Sequence, residues 1–169
     1  MLNLYGRSPA ERAKSIALGL FAVLLSASAW QISDGRAQPV REQQDRETVT
    51  AIARGFAIAL TTYDYAHPNV QRVRIATVSS SDILARVTAA TSDIAQSKAS
   101  SLGEATYTTV VTLSSSRSEV LVGTAQVVSG AYTGSGSELA GLLCVTVGRS
   151  DSNWLVVDFR WLQAPGGAP

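Results

Sequence analysis

Apolar residues at Val49, Ile52, Ala53, Phe56, Ala57, Leu60 and Tyr63 recur at the i, i+3, i+4, i+7 spacing that gathers side chains onto one helical face. The spacing predicts a long helix ending near Tyr65, because Pro68 disfavours helical geometry at His67 and stops continuation. On its first turns Arg41 with Asp45, and Glu42 with Arg46, stand four residues apart and can pair. After a short segment around Val70 to Val78, the run Ser79-Ser80-Ser81-Asp82 offers caps for a second helix. Ile83, Val87, Ala90 and Ile94 put that helix over residues 82–98, with Gly103 as its stop.

Beyond Gly103 the period changes. β-branched residues dominate residues 105–113 and 120–128, with Ser114 to Ser118 as the turn between two strands. The Gly/Ser-rich stretch from Ser129 to Gly141 is long for a hairpin connection and reads as a mobile loop or an extended hairpin tip. A third strand is predicted over 142–147 and a fourth over 154–161, after a turn at Asp151-Ser152-Asn153. Strict alternation in the last strand puts Leu155, Val157, Phe159 and Trp161 on the face toward the helices. Trp154, Val156, Asp158 and Arg160 then share the other face. Helices followed by antiparallel strands give an α+β class, with the helices packed on a curved sheet of about four strands.

The N-terminal region has a different character. Arg7, Arg12 and Lys14 precede an apolar stretch from Ile16 to Trp30, and no further basic residue follows until Arg36. That asymmetry orients the N-terminus toward the cytoplasm and the folded body outside. The stretch is shorter than the ~20 residues of a full span, and Ala27-Ser28-Ala29 resembles a signal-peptidase site. An anchor and a cleaved signal are both compatible with these residues. The organisation read from sequence is a cytoplasmic N-terminus (1–14), a transmembrane anchor or signal peptide (15–33), a linker (34–47), an extracytoplasmic domain (48–162) and a flexible tail (163–169).

Charge and composition narrow the function classes. The net charge of +1 creates no field to collect a polyanion, so nucleic acid is not expected as a partner. Cys144 is the single cysteine, which rules out an internal disulfide and a Cys-based zinc site, and its apolar neighbours point to core packing. His67 is the only histidine and stands in a proline-flanked loop. The aspartates follow no ligand spacing, and Gly130, Gly134 and Gly136 are followed by strand rather than by a helix and a P-loop lysine. No metal and no cofactor are expected. Tyr63, Asp64, Tyr65 and Tyr107 are residue types that pocket enzymes use as base and donors, but a packing role for Tyr63 and a helix-end hydrogen bond for Asp64 are the simpler reading. The expectation is a non-enzyme that works through a protein-facing surface. Trp154 and Val156 beside Asp158 and Arg160, apolar anchors among charges, are the candidate interface.

Three features in order, a leading membrane segment, the helix from Ala53 ending in Thr62-Tyr63-Asp64-Tyr65, and a closing strand Asn153-Trp154-Leu155-Val156-Val157-Asp158, make the chain resemble the Mce-associated membrane proteins of actinobacteria. Val120 to Val122 matches that family's Val-Leu-Val strand. The resemblance covers roughly residues 15 to 162. It implies a retained single-pass anchor, a cone-shaped NTF2-like extracytoplasmic domain, and a non-catalytic accessory or assembly role in an Mce-type lipid-transport complex of the cell envelope. The implied partners are the membrane and protein subunits of that complex, with homo- or hetero-oligomers possible. The related VirB8-like and TcpC-like conjugation proteins share the same plan. A conjugation or secretion subunit is therefore the alternative, with a small apolar-ligand-binding domain as a third reading.

Overall fold

The computed structural model describes residues 40–91, 98–130, 136–151 and 153–166. The membrane segment expected over 15–33 lies outside them, as do residues 92–97 and 131–135. Among the described residues no helix is long and apolar enough to cross a membrane. The chain divides into two compact units, Met1–Gln44 and Asp45–Pro169. In the first, the described residues 40–44 are helical. The second holds the sheet, the core and every other described residue.

Helix α1 (residues 40–61) has the predicted face: Val49, Ala53, Phe56 and Ala57 are fully buried, with Ile52 and Leu60 packed beside them. It stops four residues earlier than expected. Thr61 turns its hydroxyl back to the Ala57 carbonyl (2.8 Å), and the chain then extends into a two-residue strand, β1 (Tyr63–Asp64). Helix α2 (Pro68–Ala76) comes next, with proline at the start where its missing N–H costs nothing. No periodicity in the sequence predicts it. Only Gln71 and Ile75 of α2 are buried, and the Gln71 amide donates to the Ala59 and Leu60 carbonyls (both 3.2 Å). These are the carbonyls a helix end leaves without partners, so α2 caps α1 from the side. Helix α3 (Ser81–Ala90) buries Ile83 and Val87 as expected, and Ser80 stands at its N-cap without a side-chain cap bond.

Four long strands complete the unit: β2 (Ser100–Leu113), β3 (Arg117–Ser129), β4 (Ser137–Ser150) and β5 (Asn153–Gln163). With β1 they make one antiparallel sheet in sequential order, β1-β2-β3-β4-β5, five strands where four were expected. The strands extend well into the Gly/Ser-rich connection, which carries β3 to Ser129 and begins β4 at Ser137. Asp151 takes a left-handed φ of +55° in the last turn, a conformation aspartate tolerates. The three helices pack on one face of the sheet, and the core joins α1 to Val120, Val122, Leu143, Val145, Val147 and Val156. Cys144 is buried too, but alternation along β4 sets it on the opposite side from Leu143 and Val145.

Two sequence expectations are corrected here. Gly103 does not stop a helix; it lies inside β2, where α1 crosses. A Cβ at that position would fall 2.0 Å from the Thr61 Oγ1 and 3.0 Å from the Thr61 backbone carbon, so only glycine admits the crossing. The face assignment of β5 is also wrong over half its length. Thr146 pairs with Asp158 but Val147 pairs with Val156, which leaves Val157 as an extra, bulged residue. Before the bulge Trp154 and Val156 point into the core; after it Phe159 and Trp161 do. Phe159 meets Phe56 with ring centroids 5.2 Å apart at 58°, a tilted arrangement favourable for aromatic pairs.

Phe56→Ala should cost about 3–5 kcal/mol in denaturant unfolding, because it empties a fully buried site and removes the ring pair with Phe159; a loss below ~1 kcal/mol would mean the site collapses without a cavity. Gly103→Ala should cost about 1–3 kcal/mol by overpacking the crossing. Wild-type stability for that variant would show that α1 can lift off β2 freely.

Candidate interaction surface

The four residues singled out from sequence do not form one surface. Trp154 is 6% exposed, and its indole N–H donates to Asp45 Oδ1 (3.1 Å). The Arg149 guanidinium lies 5.2 Å above its ring and also reaches Asp45 (3.4 Å). Val156 is fully buried, and both its backbone groups are used, toward Val78 and Ser80 (each 2.9 Å). The Val157 bulge is the reason these two turn inward, so neither is available to a partner in this fold. Asp158 and Arg160 remain exposed. Asp158 is held by Arg86 at 2.9 Å, which keeps its carboxyl below the ordinary range, and Arg86 in turn covers the Phe159 ring at 5.0 Å.

A denser polar cluster sits where α1 gives way to α2, on the Thr62-Tyr63-Asp64-Tyr65 motif. The Thr62 hydroxyl accepts from the Gly103 amide (3.1 Å) and faces the Gly103 carbonyl (3.3 Å), clasping β1 to β2. Asp64 accepts from His67 Nδ1 (2.8 Å), the Ala66 amide (2.9 Å) and the Ser100 hydroxyl (3.2 Å). The His67 hydrogen bond is the main cause that lowers the Asp64 pKa, with the Ala66 amide next. Burial raises the Tyr63 phenol; the Ser101 hydroxyl facing it across the β1–β2 pair, buried and without a hydrogen bond of good geometry, offsets this only in part.

This cluster borders a groove of about 620 Å³ lined by Asp64, His67, Val70, Arg74, Leu102 and Val127 among others. A second hollow of about 740 Å³ opens next to it along the ends of β2, β3 and β4, sharing Leu102 and Val127. Leu102 and Val127 pair directly across β2 and β3. Both are exposed, Leu102 at 73%, and with Val70 on α2 they give this end of the domain an apolar rim. The polar groups do not compose an acyl-transfer triad. There the histidine must stand between the carboxylate and the hydroxyl it activates; here Asp64 is the centre and both His67 and Ser100 donate to it. Among the described residues no group of three or more His, Cys, Asp or Glu could hold a metal ion. What the arrangement does is join a helix end, an edge strand and the next helix while leaving apolar side chains outward.

No protein-family model matches the chain, and no curated protein matches it. Solved structures do. An IcmL-like type IV secretion system protein from Legionella pneumophila superposes with a TM-score of 0.58 at 16% identity, over 73% of this chain and 95% of that one. A periplasmic fragment of TraM gives 0.58 at 15% identity, over 70% and 97%. CagV, a VirB8 homologue of the Helicobacter pylori type IV secretion system, gives 0.56 at 8% identity, over 70% and 98%. An Ntf2-like protein involved in plasmid conjugation is similar as well, with a TM-score of 0.50. At these identities the likeness shows the fold alone, an α+β unit similar to NTF2-like and VirB8-type periplasmic domains. Nothing in it singles out the Mce-associated proteins.

Removing the His67 imidazole should raise the Asp64 titration midpoint toward the ordinary aspartate value of ~3.9. An NMR carboxyl titration of His67→Ala against wild type measures it. Because the folded-state pKa is depressed, the stabilisation from Asp64 is present above the unfolded value and is lost as pH falls through the folded one, and the variant should lose part of that acid dependence. An unchanged midpoint would show that the Ala66 amide and the Ser100 hydroxyl set it without His67.

Proposed function

We propose that this chain is a non-catalytic, membrane-tethered subunit of an envelope-spanning secretion or conjugation machine, with the domain built on Asp45–Pro169 on the extracytoplasmic side. The observation that carries the reading is the completeness of the structural likeness. This chain covers 95% of the IcmL-like protein, 97% of the TraM fragment and 98% of CagV. The Asp64-centred cluster supports the same reading, since its hydrogen bonds are spent on joining elements. The basic flank Arg7, Arg12 and Lys14 supports the orientation. In such a subunit the domain binds other proteins, and the exposed apolar rim of Val70, Leu102 and Val127 is the kind of surface that recognition uses. The Mce-type lipid-transport role rests on the sequence motif alone.

The test is cross-linking in intact cells of the source organism, followed by affinity recovery of the full chain and identification of its partners. Secretion-channel or conjugation components should be recovered, and recovery should fall several-fold for Leu102→Asp with Val127→Asp in a chain that still unfolds at the wild-type temperature. Recovery of lipid-import proteins in their place, or of no envelope component, would overturn the reading.

A further inference from the structure

Among the described residues the outer edge of β2 is open for most of its length. β1 pairs only with Ser100 and Ser101, and the Thr62 hydroxyl takes the outward backbone groups of Gly103. From Glu104 to Leu113 no backbone hydrogen bond on that side is made among the described residues. The opposite edge of the sheet differs, because Val78 and Ser80 bond the backbone of Val156 on β5. The open stretch is Glu104-Ala105-Thr106-Tyr107-Thr108-Thr109-Val110-Val111-Thr112-Leu113, β-branched and without charge after Glu104. Free strand edges of that composition invite pairing with another strand. Its outward side chains are unusually apolar for solvent: Tyr107 is 53% and Val111 54% exposed.

We propose that β2 is a homodimerisation edge, pairing antiparallel with β2 of a second copy about a twofold axis at Thr109. Complementarity within the strand selects this occupant and this register. An antiparallel pair centred on Thr109 sets Tyr107 of each copy directly opposite Val111 of the other, an aromatic with a β-branched partner, formed twice by the symmetry. Both side chains stand on the same outer face. The bulge at Thr106, extra between the Ala105–Thr124 and Tyr107–Gly123 pairs, turns Tyr107 outward, and regular alternation through Thr109 carries Val111 to the same face. Tyr107 lies over Gly123 of β3, where a Cβ would fall 2.1 Å from its Cε1, and its ring stays on the outer face.

The charges fit as well. Centring on Thr109 sets Glu104 of one copy opposite Ser114 of the other, and Ser114 is bonded to Arg117 across its turn (2.9 Å backbone, 2.8 Å from the hydroxyl). Neither Glu104 nor Arg117 makes an ion pair among the described residues. Pairing two copies brings these two within reach at both ends, while the uncharged centre has no like charges to repel. The inference does not rest on the proposed function, because it concerns self-association alone.

Register-specific disulfide trapping on the full chain tests it. Across an antiparallel pair the Cα atoms are about 4.5–5.5 Å apart, within disulfide range, and the native Cys144 is buried. Under mild copper-phenanthroline oxidation Thr109→Cys should cross-link to itself, and Tyr107→Cys mixed with Val111→Cys should give the mixed dimer. Val111→Cys alone should not, since its two copies would sit about 13 Å apart along the strands. Any other pattern overturns the proposal: none of these cross-linking, all of them cross-linking alike, or Thr109→Cys trapping a different protein. Glu104→Arg should shift the dimer toward monomer in sedimentation, and adding Arg117→Glu should restore it. Unaltered protein offers a measurement free of any folding defect: hydrogen exchange of the amides over 104–113 should slow as concentration rises. Exchange there that is independent of concentration would also reject the dimer.

Discussion

The crossing of α1 over β2 at Gly103 is the contact on which the second unit depends. The Thr61 side chain occupies the volume a Cβ would need, so the helix end lies directly on the strand. A helix held that close ends with carbonyls that water reaches poorly, and Gln71 supplies their hydrogen bonds from α2. Thr62 then ties the following residue to the same glycine, and Asp64 gathers the turn into α2. With the C-terminal end fixed, the rest of α1 is laid along the sheet so that Phe56 reaches Phe159 on the far strand. One glycine thus sets the separation of the two layers.

Much of this plan was legible in the sequence. The α1 face, the Ile83–Val87 face of α3 and the existence of four long strands follow from periodicity, because burial there is apolar and regular. What was not legible lacks those properties. α2 buries a glutamine and one isoleucine, so its pattern does not resemble an amphipathic helix, and only the geometry of the α1 end shows why the glutamine belongs inside. β1 has two residues and is defined by its partner rather than by its own composition. The face of β5 failed for a different reason. Alternation carries no memory of an inserted residue, so a single bulge at Val157 reverses everything before it. The β-branched doublet Val156-Val157 was the one local sign, and it reads equally well as ordinary strand.

The same observations explain why Trp154 and Val156 were read as outward residues and why the family resemblance was ambiguous. Thr62, Tyr63 and Asp64 form the hinge between elements, and Trp154 closes the core through Asp45 and Arg149. Each residue of the two motifs that the structure explains has a fold-making task. Motifs of that kind travel with an architecture wherever it is used. They carry nothing that separates lipid import from conjugation, and the structural likeness at 8–16% identity shows the fold alone. Leu102, Tyr107, Val111 and Val127 are among the outward residues free of such duties, where proteins of this fold can differ without disturbing it.

The lone cysteine has a further consequence. Cys144 is shut inside β4, and the chain has no second thiol for it to meet. The unit therefore needs no oxidation to close its core, and an oxidising compartment offers its thiol no partner within the chain. If the domain is exported as proposed, nothing in such chemistry delays folding until arrival: the core can close as readily before translocation as after it. A route that threads the chain unfolded would then have to outpace a fold able to form in the wrong compartment, and the timing of export, rather than the redox state of the destination, becomes the quantity under control.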